Sequence, residues 1–179
     1  MVRLEDHRQP ATTLPPAFRL PIRAEPVDVT THGGHHLADP ALAARLLAAT
    51  PTSLLATGGA PGDVAPTPRG GPLLGALFES LVTQSIRVYA QAADAAVYHL
   101  RTRNGDHEVD LIVEGPDRRV VAFEVKLAPT VDDRAVTHLR WLRDHVGDRL
   151  AAAVVVTTGP SAYRRPDGIA VVPAALLGP

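Results

Sequence analysis

Residues 107–128, "HEVDLIVEGPDRRVVAFEVKLA", leave the chain few structural options. Two apolar runs flank the turn-forming segment "EGPDRR", which is the signature of an antiparallel hairpin with strands over 107–114 and 119–127. Side chains alternate between the two faces of a strand. In the second strand Val121, Phe123, Val125 and Leu127 share one face, and Val120, Ala122, Glu124 and Lys126 share the other. In the first strand Val109, Leu111 and Val113 oppose Asp110 and Ile112. Both strands therefore place acids where a buried sheet should be apolar. Asp110 and Glu124 can meet across the hairpin if the register aligns their faces, with Lys126 one pleat further on.

The remaining pattern supplies partners for that hairpin. From residue 72, "PLLGALFESLVTQSIRVYAQAA" repeats apolar residues at Leu74, Leu77, Phe78, Leu81, Val82, Ile86 and Tyr89, a helical stripe. "AAVYHLRTR" reads as a strand, and "RNGD" as the tight turn into the hairpin. "VDDRAVTHLRWLRDHV" is an amphipathic helix with Val131, Ala135, Leu139, Leu142 and Val146 on one face. "LAAAVVVTTG" is a buried strand, and "GIAVVPAALL" adds another strand with a helical turn. Helix, three strands, helix, strand, strand predicts an α/β fold with a mixed sheet flanked by helices over 71–179. Residues 1–70 are dense in proline and glycine and read as a loop-rich N-terminal extension. One short helix near 39–50 stands out there, with Asp39 as N-cap and Pro40 in the first helical position.

Two carboxylates converging in a partly buried sheet repel each other and lose hydration. A hard divalent cation such as Mg2+ or Mn2+ relieves both costs, because it takes oxygen ligands. Lys126 would then steady charge building on a phosphate or orient the attacking water. Glu79, at the edge of the helical stripe, leans toward the sheet and could join the metal shell directly or through water. The bland alternative is an exposed ladder of cross-strand ion pairs.

Composition narrows the setting. A formal net charge of −1 means that nucleic acid could be held only by a local basic patch. The absence of cysteine excludes disulfides and thiolate metal sites. No apolar run approaches the ~18 residues that span a membrane, and the first residues lack a signal-peptide core. These features predict a soluble, cytoplasmic protein that does not engage a membrane.

A helical acid, then Asp, then Glu-x-Lys across a hairpin, then a helix: this order resembles the PD-(D/E)XK nuclease superfamily. More closely, "GPLLGALFESLV" through "EVKLAP" resembles the nuclease-like domain of unknown function found C-terminal to many bacterial and archaeal AAA-type ATPases. Its "G-x-L-x-E", "Y-x-x-R", "E-V-D" and "E-V-K" pieces fall at Gly75–Leu77–Glu79, Tyr98–Arg101, Glu108–Asp110 and Glu124–Lys126. The upstream "HHLADPALAARLL" resembles that family's "D-x-G-L" segment, with Ala41 where glycine is usual. The likeness spans roughly residues 36–179. It implies a four-stranded mixed core sheet, with Asp110 and Glu124 holding the metal, Glu79 as the helical acid and Lys126 as the catalytic lysine. No G-x-x-x-x-G-K-[ST] loop is present, because the glycine-rich "ATGGAPGDVAPTPRGG" lacks the lysine. An ATPase would then be either a domain of a longer protein or a partner protein.

The functional expectation is a divalent-metal-dependent nuclease hydrolysing phosphodiester bonds in DNA. The alternative is a catalytically silent nuclease-like module that binds nucleic acid or a partner protein such as an ATPase. Other candidates read more plainly. His32, His35 and His36 near Asp39 sit in a glycine-rich stretch that suits a surface loop better than a metal site. Arg134, His138, Arg140, Arg143, His145 and Arg149, with Arg164 and Arg165, could form a phosphate-binding stripe. Interleaved Asp132, Asp133, Asp144 and Asp148 favour a salt-bridged solvent face. Trp141 suits half-buried packing more than a stacking platform, and His107 is a turn-flanking residue that could also shuttle protons.

Overall fold

The computed structural model describes residues 27–30, 39–55, 71–102 and 105–178. His32, His35 and His36, and most of the glycine-rich stretch before residue 71, lie outside them. The elements are β1 (Val27–Thr30), α1 (Pro40–Leu46), α2 (Pro51–Leu55), α3 (Gly71–Ala92), β2 (Ala96–Thr102), β3 (Glu108–Glu114) and β4 (Val120–Lys126). They continue with α4 (Thr137–Val146), β5 (Leu150–Thr157), β6 (Tyr163–Arg164) and β7 (Ala170–Pro173). The strands form one mixed sheet in the order β1-β2-β3-β4-β5-β7-β6. β1 to β4 pair antiparallel as a meander, whereas β4, β5 and β7 run parallel. Parallel neighbours need a long crossover, and the segment carrying α4 supplies it between β4 and β5.

The two faces of the sheet have separate cores. Leu111, Val125 and Val156 pack with Val82 and Ile86 of α3, joined by Phe78 and Phe123. Ile112, Val120, Ala122 and Val155 pack with Val136, Leu139, Leu142 and Val146 on and beside α4. Strand alternation thus sorts α3 and α4 to opposite faces, giving helix, sheet and helix layers. Val109 departs from the expected face and joins the α4-side core, next to a register shift between Tyr98 and Leu100. The C-terminal end closes against α3, where Tyr89 Oη donates to the carbonyl of Leu177 at 3.3 Å.

Several local expectations meet their physical cause. Asp39 caps α1 by accepting from the amide of Leu42 at 2.9 Å, and Pro40 begins the helix. The helix expected from Val131 begins instead at Thr137, after a 3-10 turn over Arg134–Val136. Asp132 Oδ1 takes the amide of Ala135 at 2.9 Å and so competes with an earlier helical start. On α3 the buried positions include Ser80 and Thr83, while Leu81, expected within the apolar stripe, is half exposed. Leu81 lines an apolar groove with Leu54, Leu74 and Phe78. β1, which pairs with β2, and β6 were not anticipated. Among the described residues no helix is long and apolar enough to cross a membrane.

Candidate functional site

The site begins where the hairpin opens. Pairing between β3 and β4 runs from Glu114–Val120 to Leu111–Phe123 and stops there, although β3 extends back to Glu108 and β4 on to Lys126. One further step of the register would set Asp110 opposite Glu124. Instead of a ladder bond, the amide of Val125 donates to Asp110 Oδ2 at 2.7 Å. The carboxylate thus fills the gap between the splayed strands and satisfies a β4 amide. On the other side His99 of β2 places Nδ1 3.2 Å from the carbonyl of Asp110 and Nε2 3.2 Å from Glu108 Oε1.

Glu124 is 4% exposed. Its Oε1 accepts from Lys126 Nζ at 2.6 Å, and its Oε2 is buried with no hydrogen-bond partner. Burial and the charge of Asp110 push the Glu124 carboxyl up to about 7, against the pull of Lys126. Asp110 is also raised, by burial first, with the Val125 amide, Lys126 and His99 opposing. Glu79, half-buried on α3, is raised by burial and then by Asp110 and Glu108. Burial lowers the proton affinity of Lys126, but Glu124, Asp110 and Glu79 outweigh it and hold the ammonium above its ordinary value. The four residues singled out in the sequence are therefore within one electrostatic neighbourhood, in which three carboxylates face a single lysine.

Glu114, at the other end of β3, provides a contrast. It is as buried as Glu124, at 6% exposed, but Arg118 Nε lies 3.0 Å and Arg149 Nη2 3.4 Å from its Oε1. Two guanidiniums make that acid a structural ion pair. Glu124 and Asp110 have no comparable surplus of positive charge.

Among the described residues no three His, Asp or Glu side chains close into a ready-made ligand group. The donor set on offer is the Asp110–Glu124 pair, with the unpartnered Glu124 Oε2 as its clearest open valence. Such a pair fits a hard dication of the Mg2+ or Mn2+ type, which is commonly held by one or two carboxylates with water completing the shell. Glu79 shares the electrostatic neighbourhood of Asp110 and Lys126, from which it could join such a shell directly or through water.

The other sequence candidates resolve differently. Arg140 and Arg165 both reach Asp133 and Asp167, Arg143 Nη1 donates to the Asp167 carbonyl at 2.7 Å, and Arg149 binds Glu114. Arg140, Arg143 and Arg165 tie the α4 crossover to the β6–β7 turn, and Arg149 ties the start of β5 to the end of β3, the salt-bridged arrangement favoured over a phosphate stripe. Tyr98 packs against the α4-side core, and Arg101 is exposed. His99 escaped the sequence reading; its only sequence signal is an imidazole in a strand adjoining the acid-bearing one. Trp141 stacks on His107 with ring centroids 4.2 Å apart.

A family model described as "Domain of unknown function (DUF4143)" matches residues 74–177, more than half of the chain. No functionally curated protein matches the sequence. Among solved structures, one that matches is the crystal structure of protein VC1899 from Vibrio cholerae. It is 20% identical, with a TM-score of 0.42, over 59% of this chain and 31% of that one. The chain thus spans about a third of the length of that protein.

Proposed function

The chain belongs to the DUF4143 family, and within it we propose a divalent-metal-dependent nuclease of the PD-(D/E)XK type that hydrolyses phosphodiester bonds in DNA. The observation that carries this reading is Glu124: a buried carboxylate with one oxygen on Lys126 and the other unpartnered, beside Asp110 in the gap between two splayed strands. A buried polar atom without a partner costs about 1–3 kcal/mol, and a second carboxylate nearby adds repulsion. A sheet gains nothing from that arrangement unless a cation uses it.

Asp110 and Glu124 would hold Mg2+ or Mn2+, and Glu79 adds negative potential that orders water around it. When bound, such an ion lowers the pKa of a water and neutralises charge on the scissile phosphate. Lys126 stays protonated, because three carboxylates surround it. Its ammonium, tied to Glu124 Oε1, is positioned to stabilise charge on a phosphate oxygen or to orient the attacking water. The ends of β4 and β5 are braced for this. The amide of Thr158 donates to the Ala128 carbonyl at 3.2 Å, and a Cβ on Gly159 would stand 2.5 Å from the Pro129 carbonyl oxygen. No larger residue fits there without moving the loop that follows Lys126.

A second reading has its own support. Arg140, Arg149 and Arg165 are engaged in internal ion pairs, so they offer little free positive charge to a DNA backbone. A silent module that keeps the fold and binds a partner protein, such as an ATPase, would use the apolar groove beside α3 rather than the carboxylates. Nicking of supercoiled plasmid in Mn2+ separates the two: the parent chain nicks, Glu124→Ala and Lys126→Met do not. Equal nicking by parent and variants identifies a contaminant and removes the nuclease reading.

A further inference from the structure

On the α4 side of the sheet a second group of titratable rings stands apart from the carboxylates. The backbone of His107 is pinned at the mouth of the β2–β3 hairpin: its amide donates to Thr102 Oγ1 at 3.0 Å, and its carbonyl accepts from the Thr102 amide at 2.9 Å. The imidazole of His107 stacks on Trp141 at 4.2 Å with planes 10° apart. His145 lies on the same indole at 4.4 Å, tilted by 32°. The indole of Trp141 thus carries His107 as a stacked neighbour. Its role is to fix His107.

His138, one turn before Trp141 on α4, meets His107 edge-on with centroids 5.6 Å apart and planes at 80°. The two Nδ1 atoms are 3.4 Å apart. A tetrahedral ion held at about 2.0–2.1 Å by both nitrogens would also set them roughly 3.4 Å apart, but would bend the ring axes toward itself and bring the centroids to roughly 5.3 Å. Rings facing head-on across that gap, with nitrogens ~1.15 Å from each centroid, stand roughly 5.7 Å apart, which is hydrogen-bond geometry. The observed separation is the head-on one. Such a contact needs one N–H and one lone pair. One further proton can be added at the Nε2 of the donating ring without breaking it. A second would place two N–H groups, on two cations, against each other.

The pair lies within electrostatic reach of the carboxylate site. Burial lowers the proton affinity of His138, as do His107 and Lys126, while Glu108 and Asp110 oppose. The groups acting on it are thus His107 before β3, Glu108 and Asp110 from β3, and Lys126 from β4. Of all these, an imidazole is the group whose ordinary range spans neutral pH. Lys126 is held as a cation, Asp110 is committed as a ligand, and Glu108 faces His99.

We propose that His107 and His138, fixed by Trp141, form a one-proton pair that exchanges protons with the reacting oxygens at the carboxylate site. This rests on the hydrolytic reading above. As water oxygen bonds to phosphorus and the ester P–O bond breaks, the proton shed by the water passes to the pair and the leaving alkoxide takes one from it. The pair ends as it began, and no electron is transferred.

The test uses the full chain, with imidazole proton resonances followed from pH 8 to 5 and plasmid nicking in Mn2+ measured over the same range. In the parent, His107 and His138 take up one proton between them. His138→Gln slows nicking about a hundredfold and flattens the pH profile, while the Mn2+-induced rise in unfolding midpoint stays as in the parent. His107→Gln gives the same kinetic result if the first variant folds poorly. Uptake of two independent protons, or a nicking profile of both variants that matches the parent, overturns the pair. A parent that does not nick overturns the hydrolytic reading and the exchange together, whereas a nicking parent with unaffected variants overturns the exchange alone.

Discussion

Replacing Glu124 with glutamine tests the site without any assumption about substrate. In the folded chain the Glu124 carboxyl titrates near 7 rather than at its ordinary 4.5. At about 1.4 kcal/mol per pH unit, that difference amounts to about 3 kcal/mol. The sign follows from which state binds the proton more tightly. Because the folded-state value is raised, the contribution of Glu124 is fully present below pH 4.5 and is lost as the pH rises through 7. Above that, a buried charge remains. Glutamine cannot ionise, but its amide oxygen can still accept from Lys126. The second amide position is as poorly partnered as the hydroxyl of the protonated acid, so that cost cancels in a comparison across pH. Glu124→Gln should therefore gain about 3 kcal/mol over the parent between pH 4.5 and pH 8. Urea unfolding in chelator at several pH values, followed by circular dichroism, reads this directly. Mn2+ at a hundredfold excess over its dissociation constant should then stabilise the parent by about 2.7 kcal/mol at pH 8 and leave the variant unmoved. Parallel stability curves for parent and variant, or an equal response to Mn2+, would refute the reasoning.

Other changes separate chemistry from scaffold. Lys126→Met should lower nicking by at least about a hundredfold, while the Mn2+-induced rise in unfolding midpoint persists; an unchanged rate means that the ammonium is only a counter-ion. Gly159→Ala should destabilise by about 1–3 kcal/mol in urea, because the new methyl meets the Pro129 carbonyl oxygen at 2.5 Å; unaltered stability would mean that the loop moves freely. Arg149→Ala should cost about 1–3 kcal/mol by leaving buried Glu114 with Arg118 alone, with no effect on the Mn2+ response, which calorimetry with and without metal checks.

How much of this was legible beforehand depends on whether the signal is local. Strand alternation placed Val120 and Ala122 on one face of β4 and Phe123 and Val125 on the other, as the separate cores now show. The pairing of Asp39 with Pro40 announced α1, because capping is decided within four residues. Lys126 and the three acids were also nameable as a group from their order along the chain. By contrast β1 and β6 carry weak local patterns and exist through pairing with distant strands. Leu81 and Val109 departed from their expected faces because neighbouring elements decide burial.

The amino-acid sequence, on its own, determined where acids interrupt the apolar strands, because side-chain alternation is a property of extended backbone. Only the tertiary structure decided what surrounds those acids. The ladder stops at Leu111–Phe123, so Asp110 turns its carboxylate to an amide of β4 and Glu124 keeps one oxygen without a partner. Glu114, equally acidic and equally buried, is neutralised because two arginines reach it through space. The pairing of His107, just before β3, with His138 of α4 belongs to the same class. Charge balance and proton affinity depend on distances and burial between segments far apart in the chain, and no local pattern encodes those.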